Sequence, residues 1–188
     1  MNYNLKSIVL LVLGLGFGLF LIVQALLTEG SSLGYLYLYL AIGAFLFGGF
    51  APKAGIYALV FASCFIDIPK RMMVVYGMPT KIDLMAIMAV PPALLSGALV
   101  SVFLALIFSR QRISRELVFS FLIASAFFGL SALGIAASDD RTTVGARGLG
   151  VIVNQGLYPF LLFLIPVVFQ TVEDRRKLMI FSLLCFIP

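Results

Sequence analysis

The feature that most constrains this chain is the run 8–27, in which Gln24 is the only strongly polar side chain. More runs of the same kind follow at short intervals. Water does not favour a surface built from such runs. A bilayer's hydrocarbon core, about 30 Å thick, is crossed by a helix of about 20 mostly apolar residues. Backbone groups in hydrocarbon find no water, so a spanning run must close its own hydrogen bonds as a helix. The expected architecture is therefore all-α, a polytopic integral membrane bundle.

Seven runs are read as spans: 8–27, 33–50, 54–68, 84–108, 117–137, 151–169 and an incomplete 178–188. A signal peptide competes for the first, since Lys6 precedes it and Val23-Gln24-Ala25 is a passable cleavage site. A signal's apolar region is only about 7–15 residues, so 8–27 is read as a retained helix. Tyr35, Tyr37 and Tyr39 open the second run and suit an interfacial belt. The third ends at Asp67 and Pro69, because proline lacks an N–H and biases Ile68 away from helix. The stretch 72–79, with Gly77 and Pro79, reads as an interfacial loop. Thr80 and Asp83, and again Thr171 and Asp174, have the spacing of helix N-caps. Pro91-Pro92 predicts a kink in the first third of 84–108. Pro159 and Pro166 interrupt 151–169. The eleven residues 178–188 cover roughly half a hydrocarbon core at about 1.5 Å per residue. The chain is accordingly expected to be the N-terminal part of a longer protein, forming a single transmembrane domain over 1–188.

Composition agrees: 62% of residues are hydrophobic and 11% charged, and mean hydropathy is +1.14. An average soluble chain is about a quarter charged. The net charge of +5 would hint at nucleic acid in a soluble protein. Here it is read as the positive-inside bias, with no nucleic-acid partner. With the N-terminus cytoplasmic, the inner side holds Lys6, Lys53, Arg110, Arg112, Arg115, Arg175, Arg176 and Lys177. The outer side then holds Lys70, Arg71, Lys81, Arg141 and Arg147. The inner cations are read as topology determinants and contacts to anionic membrane lipid.

Chemistry is sparsely marked. The chain has no His, which excludes histidine acid–base catalysis and histidine metal ligation. Cys64 and Cys185, far apart in sequence, read as small core residues, so neither a metal site nor a cofactor is expected. Gly14 and Gly18 form a GxxxG helix-packing signal. Asp67 sits at a helix end, where Lys70 or Arg71 can pair with it. The outward cations run against the usual bias and call for a reason. Arg141 and Arg147 flank a loop leading through Gly148-Leu149-Gly150 into a helix whose N-terminus faces outward. Free N–H groups and the positive dipole end there favour an anion, and arginine's planar fork holds phosphate oxygens bidentately. Asn154 and Tyr158 lie seven and eleven residues beyond Arg147, on the same helix face. Together they form a polar stripe suited to a lipid bearing phosphate or pyrophosphate. The competing structural reading has both arginines neutralising Asp139 and Asp140, with Asn154 bonding a neighbouring helix.

The short-looped helices, the third span ending in Asp67-Ile68-Pro69-Lys70-Arg71, and the arginine-bearing outer loops form a familiar pattern. With Arg147-Gly148-Leu149-Gly150 through Pro166, then Glu173-Asp174-Arg175-Arg176-Lys177 before a new helix, the chain resembles the first half of O-antigen ligases and polymerases. The resemblance implies a glycosyltransferase-type fold in a bacterial inner membrane. It implies a polyprenyl-pyrophosphate-linked (undecaprenyl) glycan used at the periplasmic face. Arg141 and Arg147 would match pyrophosphate contacts, with Lys70 and Arg71 next. Members also carry a large periplasmic loop in their second half, often with a functional His. This sequence has neither, so no catalytic residue is placed. A small-solute or lipid transporter using the kinked helices 84–108 and 151–169, and a non-catalytic membrane assembly subunit, are the alternative expectations. Donor sugar, acceptor and oligomeric state are left open.

Overall fold

The computed structural model describes residues 8–10, 12–14, 16, 32–66, 68, 71, 75, 87–109, 114–136 and 156–185. Among these residues the chain is all-helical, without a strand. The helices are α1 (Ser32–Phe50), α2 (Pro52–Phe65), α3 (Val90–Ser109), α4 (Arg115–Ala136), a 3-10 turn (Tyr158–Phe160), α5 (Leu161–Val168) and α6 (Val172–Cys185). The remainder of the expected first span lies outside the described residues.

Among the described residues, two segments are long and apolar enough to cross a membrane: Val90–Phe108 in α3 and Arg115–Gly134 in α4. The apolar segments Tyr35–Phe50, Pro52–Phe65 and Tyr158–Val168 are shorter. At 14 residues, α2 reaches about 21 Å, less than a hydrocarbon core. It starts at Pro52, where a missing N–H costs nothing, and the chain turns at Ile66, ahead of Pro69. Before α3, Ile87 and Met88 are helical and Ala89 is a turn, so the break falls just ahead of Pro91-Pro92. The expected kink thus becomes an interruption between two helical pieces. Around Pro159 the chain passes from a π-type residue at Gly156, through a bend at Leu157, into the 3-10 turn. α6 begins earlier than the apolar run 178–188, because Thr171 caps it. Thr171 Oγ1 accepts from Asp174 N at 3.1 Å, and Glu173 and Asp174 occupy the dipole-favoured first turn.

Contacts fix the relative directions. The first half of α1 (Leu36, Tyr39, Leu40) lies beside Val90 at the start of α3, while Gly48 and Gly49 lie beside Leu94 to Ala98. These two helices therefore run parallel. A Cβ on Gly97 would collide with Phe45 O, and one on Gly48 with Leu94 O; on Gly55 it would stand 2.7 Å from Gly48 Cα. Three small residues thus let α1, α2 and α3 meet backbone to backbone, the contact that joins helices where hydrocarbon surrounds them. A Cβ on Gly14, half of the GxxxG pair, would meet the Leu46 side chain rather than backbone; Gly18 lies outside the described residues.

The second half of the fold is sealed by aromatics. Phe121 of α4 meets Phe103 (5.2 Å), Phe163 (5.5 Å) and Phe160 (5.7 Å). Phe128 meets Phe160 at 6.4 Å. Each such pair contributes about 0.5–1.5 kcal/mol beyond its area. As numbering rises along α4 it falls along the Pro159 segment, so the two are antiparallel. Away from these contacts α4 leaves Phe119, Leu122, Leu130 and Leu133 more than half exposed. That outward face is one hydrocarbon solvates and water does not.

Candidate functional site

One end of the bundle gathers polar groups from four helices. Lys53 lies in the first turn of α2, where the helix dipole disfavours a cation. It is held there by Asp174 of α6, Nζ to Oδ1 at 2.7 Å, and stands 5.7 Å from the centre of the Phe169 ring. Lys53's hydrogen bond, followed by that of Thr171, lowers the Asp174 pKa below the ordinary carboxylate value. Phe169 itself is fully buried, with Tyr57 edge-on at 5.6 Å; Tyr57 also meets Phe181 edge-on at 5.1 Å. Arg175 Nε donates to Phe169 O at 2.8 Å, and Gln170 Nε2 to Val167 O at 3.4 Å. These bonds satisfy carbonyls that the end of α5 leaves open.

Between α2, α3 and the end of α5 is a cavity of about 620 Å³. Lys53, Tyr57, Gln170 and Ser101 supply its polar lining; Val102, Leu106, Val167 and Val168 supply much of the rest. A cation, an amide and a hydroxyl above an apolar trough are equipped for recognition. No cluster of three or more His, Cys, Asp or Glu able to hold a metal ion occurs among the described residues.

Of the sequence-derived site, Tyr158 and Arg71 are described, and both belong to the opposite end. Tyr158 shares a 3.3 Å hydrogen bond with Ser63, near the far end of α2 from Lys53. Arg71, helical and exposed, follows α2 beyond that same end. The structure thus places Tyr158 against α2. Arg141, Arg147, Asn154 and Lys70 lie outside the described residues, as do Asp139, Asp140, Lys81 and the inner Arg110 and Arg112.

Sequence reasoning treated Lys53 only as a topology signal and passed over Tyr57, Ser101 and Gln170. The usable signal for Lys53 was its assignment to the same side as Glu173 and Asp174. Ser101 and Tyr57 carry no spacing that marks them. Cys64 and Cys185 are free and half-buried, and the fold brings them within electrostatic reach of each other despite their separation in sequence.

Compared with protein-family models, with curated proteins and with solved structures, the chain matches none.

Proposed function

We propose that the chain is a polytopic bundle of a bacterial inner membrane, with a cytoplasmic N-terminus, six full spans and a seventh continuing through 178–188. We further propose that it works as a glycan polymerase or ligase on a polyprenyl-pyrophosphate-linked saccharide at the outer face. The observation that carries this reading is the separation of the two ends. Lys53, Arg115 and Arg175 to Lys177 belong to one, while Tyr158 and Arg71 belong to the other. The parallel packing of α1 and α3 also supports it, because α2 must carry the chain back between them.

In this reading Arg141 and Arg147 hold the pyrophosphate oxygens, with Lys70 and Arg71 beside them and Asn154 and Tyr158 below. Attack by an acceptor hydroxyl at the anomeric carbon forms the new glycosidic bond, breaks the carbon–oxygen bond to pyrophosphate and releases the hydroxyl proton to water. The electron pair leaves with the diphosphate, whose charge the arginines neutralise. An arginine–phosphate contact is worth about 1.5–3 kcal/mol. Arg147→Ala is therefore expected to weaken polyprenyl-pyrophosphate binding roughly 10- to 100-fold, and Arg147→Lys to restore part of it. Equal binding by wild type and an inserted Arg141→Ala/Arg147→Ala chain would contradict the site.

A transporter is the second reading, favoured by the interrupted helices at Ala89 and at Gly156 to Phe160. Discontinuous helices often form the substrate sites of transporters. Saturable uptake into proteoliposomes that survives the double arginine substitution would support it over the enzyme.

A further inference from the structure

The cavity at the Lys53 end contains a polar atom that the fold leaves unanswered. Ser101 is 1% exposed, and its hydroxyl has no hydrogen-bond partner. Ser120, Ser131 and Ser182 show the usual outlet, each donating to the carbonyl four residues earlier at 3.0, 2.8 and 2.8 Å. The equivalent acceptor for Ser101 is Gly97 O, which faces α1 at its close approach to Gly49. A buried hydroxyl without a partner is costly, and Ser101 is among the residues around a cavity large enough for a ligand.

We propose that this cavity binds one anionic phospholipid of the adjacent leaflet. Its phosphate meets Lys53 and Gln170, its glycerol backbone passes Leu106, and an ester carbonyl reaches deeper to accept from the Ser101 hydroxyl. The inference rests on the chain spanning a membrane. Charge selects the headgroup: at this end Lys53, Arg115, Arg175, Arg176 and Lys177 outnumber Glu116, Glu173 and Asp174. Asp174 engages only one of the three N–H donors of Lys53. Depth fits as well, since Ser101 lies five residues, about 7.5 Å of helix rise, inside Leu106. Basic pockets between helices on the cytoplasmic side are a recurrent form of lipid site.

The test is native mass spectrometry of the full chain, given equal amounts of phosphatidylglycerol and phosphatidylcholine. One phosphatidylglycerol should remain bound, preferred by about fivefold, the worth of one lysine at a membrane surface. Lys53→Gln should abolish the preference. Asp174→Asn breaks the same ion pair but should keep or raise it, because Lys53 stays and is released. Ser101→Ala should weaken retention about 3- to 10-fold. Equal retention of the two lipids by wild type, or retention unchanged in both Lys53→Gln and Ser101→Ala, would overturn the proposal. Displacement of the lipid by inorganic phosphate would likewise overturn it, showing a simple anion site. Extraction by alkaline carbonate, run in parallel, separates the two readings. A chain that leaves the membrane removes the spanning reading and this inference with it. A chain that stays but shows no preference removes this inference alone.

Discussion

Lys53 and Asp174 tie two helices that are distant in sequence, and each occupies a first turn, where the dipole repels the lysine and favours the aspartate. The pair is partly exposed, so its strength comes from geometry and from the Phe169 ring beneath the ammonium. The neighbouring Glu173–Lys177 pair, 3.2 Å apart and well exposed, adds little. Because the folded Asp174 pKa lies below its ordinary value of 3.8, the carboxylate contributes stability that is fully present above about pH 4. That contribution is lost as pH falls further, through the depressed folded value. Thermal unfolding in detergent from pH 6 down to pH 3 should show wild type losing its advantage over Asp174→Asn across that window. A constant difference would show that the carboxylate's charge contributes nothing. The sequence put Lys53 and Asp174 on one side but did not reveal that they pair. Local spacing revealed the Thr171 cap, whereas only the folded chain brings Lys53 to Asp174.

At the scale of elements, the junction of α1, α2 and α3 depends on the absence of side chains. Gly97→Ala would push a methyl group into the Phe45 carbonyl, which is backbone and cannot rotate away. Overpacking of this kind costs about 1–3 kcal/mol. Gly43, in the same helix as Gly48, has open space where its Cβ would stand. Gly43→Ala should therefore be neutral or slightly stabilising, since alanine is favoured over glycine in a helix by about 1 kcal/mol. Melting temperatures of the two variants check the pair, and an equal loss from both would contradict the close-approach account. Two of the proline sites were legible as punctuation because their effect is local: breaks fall at Ala89 and near Pro159. Pro166, expected to interrupt, stays inside α5, and Ile68, expected to leave the helix ahead of Pro69, is helical. The glycine junction was not legible, because Gly48, Gly55 and Gly97 lie on three helices and form no single motif. Of the GxxxG pair Gly14 is described, and it lies against the Leu46 side chain.

For the molecule as a whole, the exposed apolar face of α4 supports a bundle in lipid. The all-helical class was legible in long apolar runs, since backbone groups in such runs must close their own hydrogen bonds. Activity was less legible, because the arginines proposed to hold pyrophosphate lie in a polar loop whose partners no periodicity specifies. The most direct measurement is cysteine accessibility in intact cells. Cys64 and Cys185 are first replaced by alanine, then single cysteines are introduced as Ser31→Cys, Thr143→Cys and Arg112→Cys. The account predicts that an impermeant thiol reagent labels the first two from outside, and Arg112→Cys only after the membrane is opened. Labelling of Arg112→Cys from outside, with Ser31→Cys and Thr143→Cys protected, would contradict it.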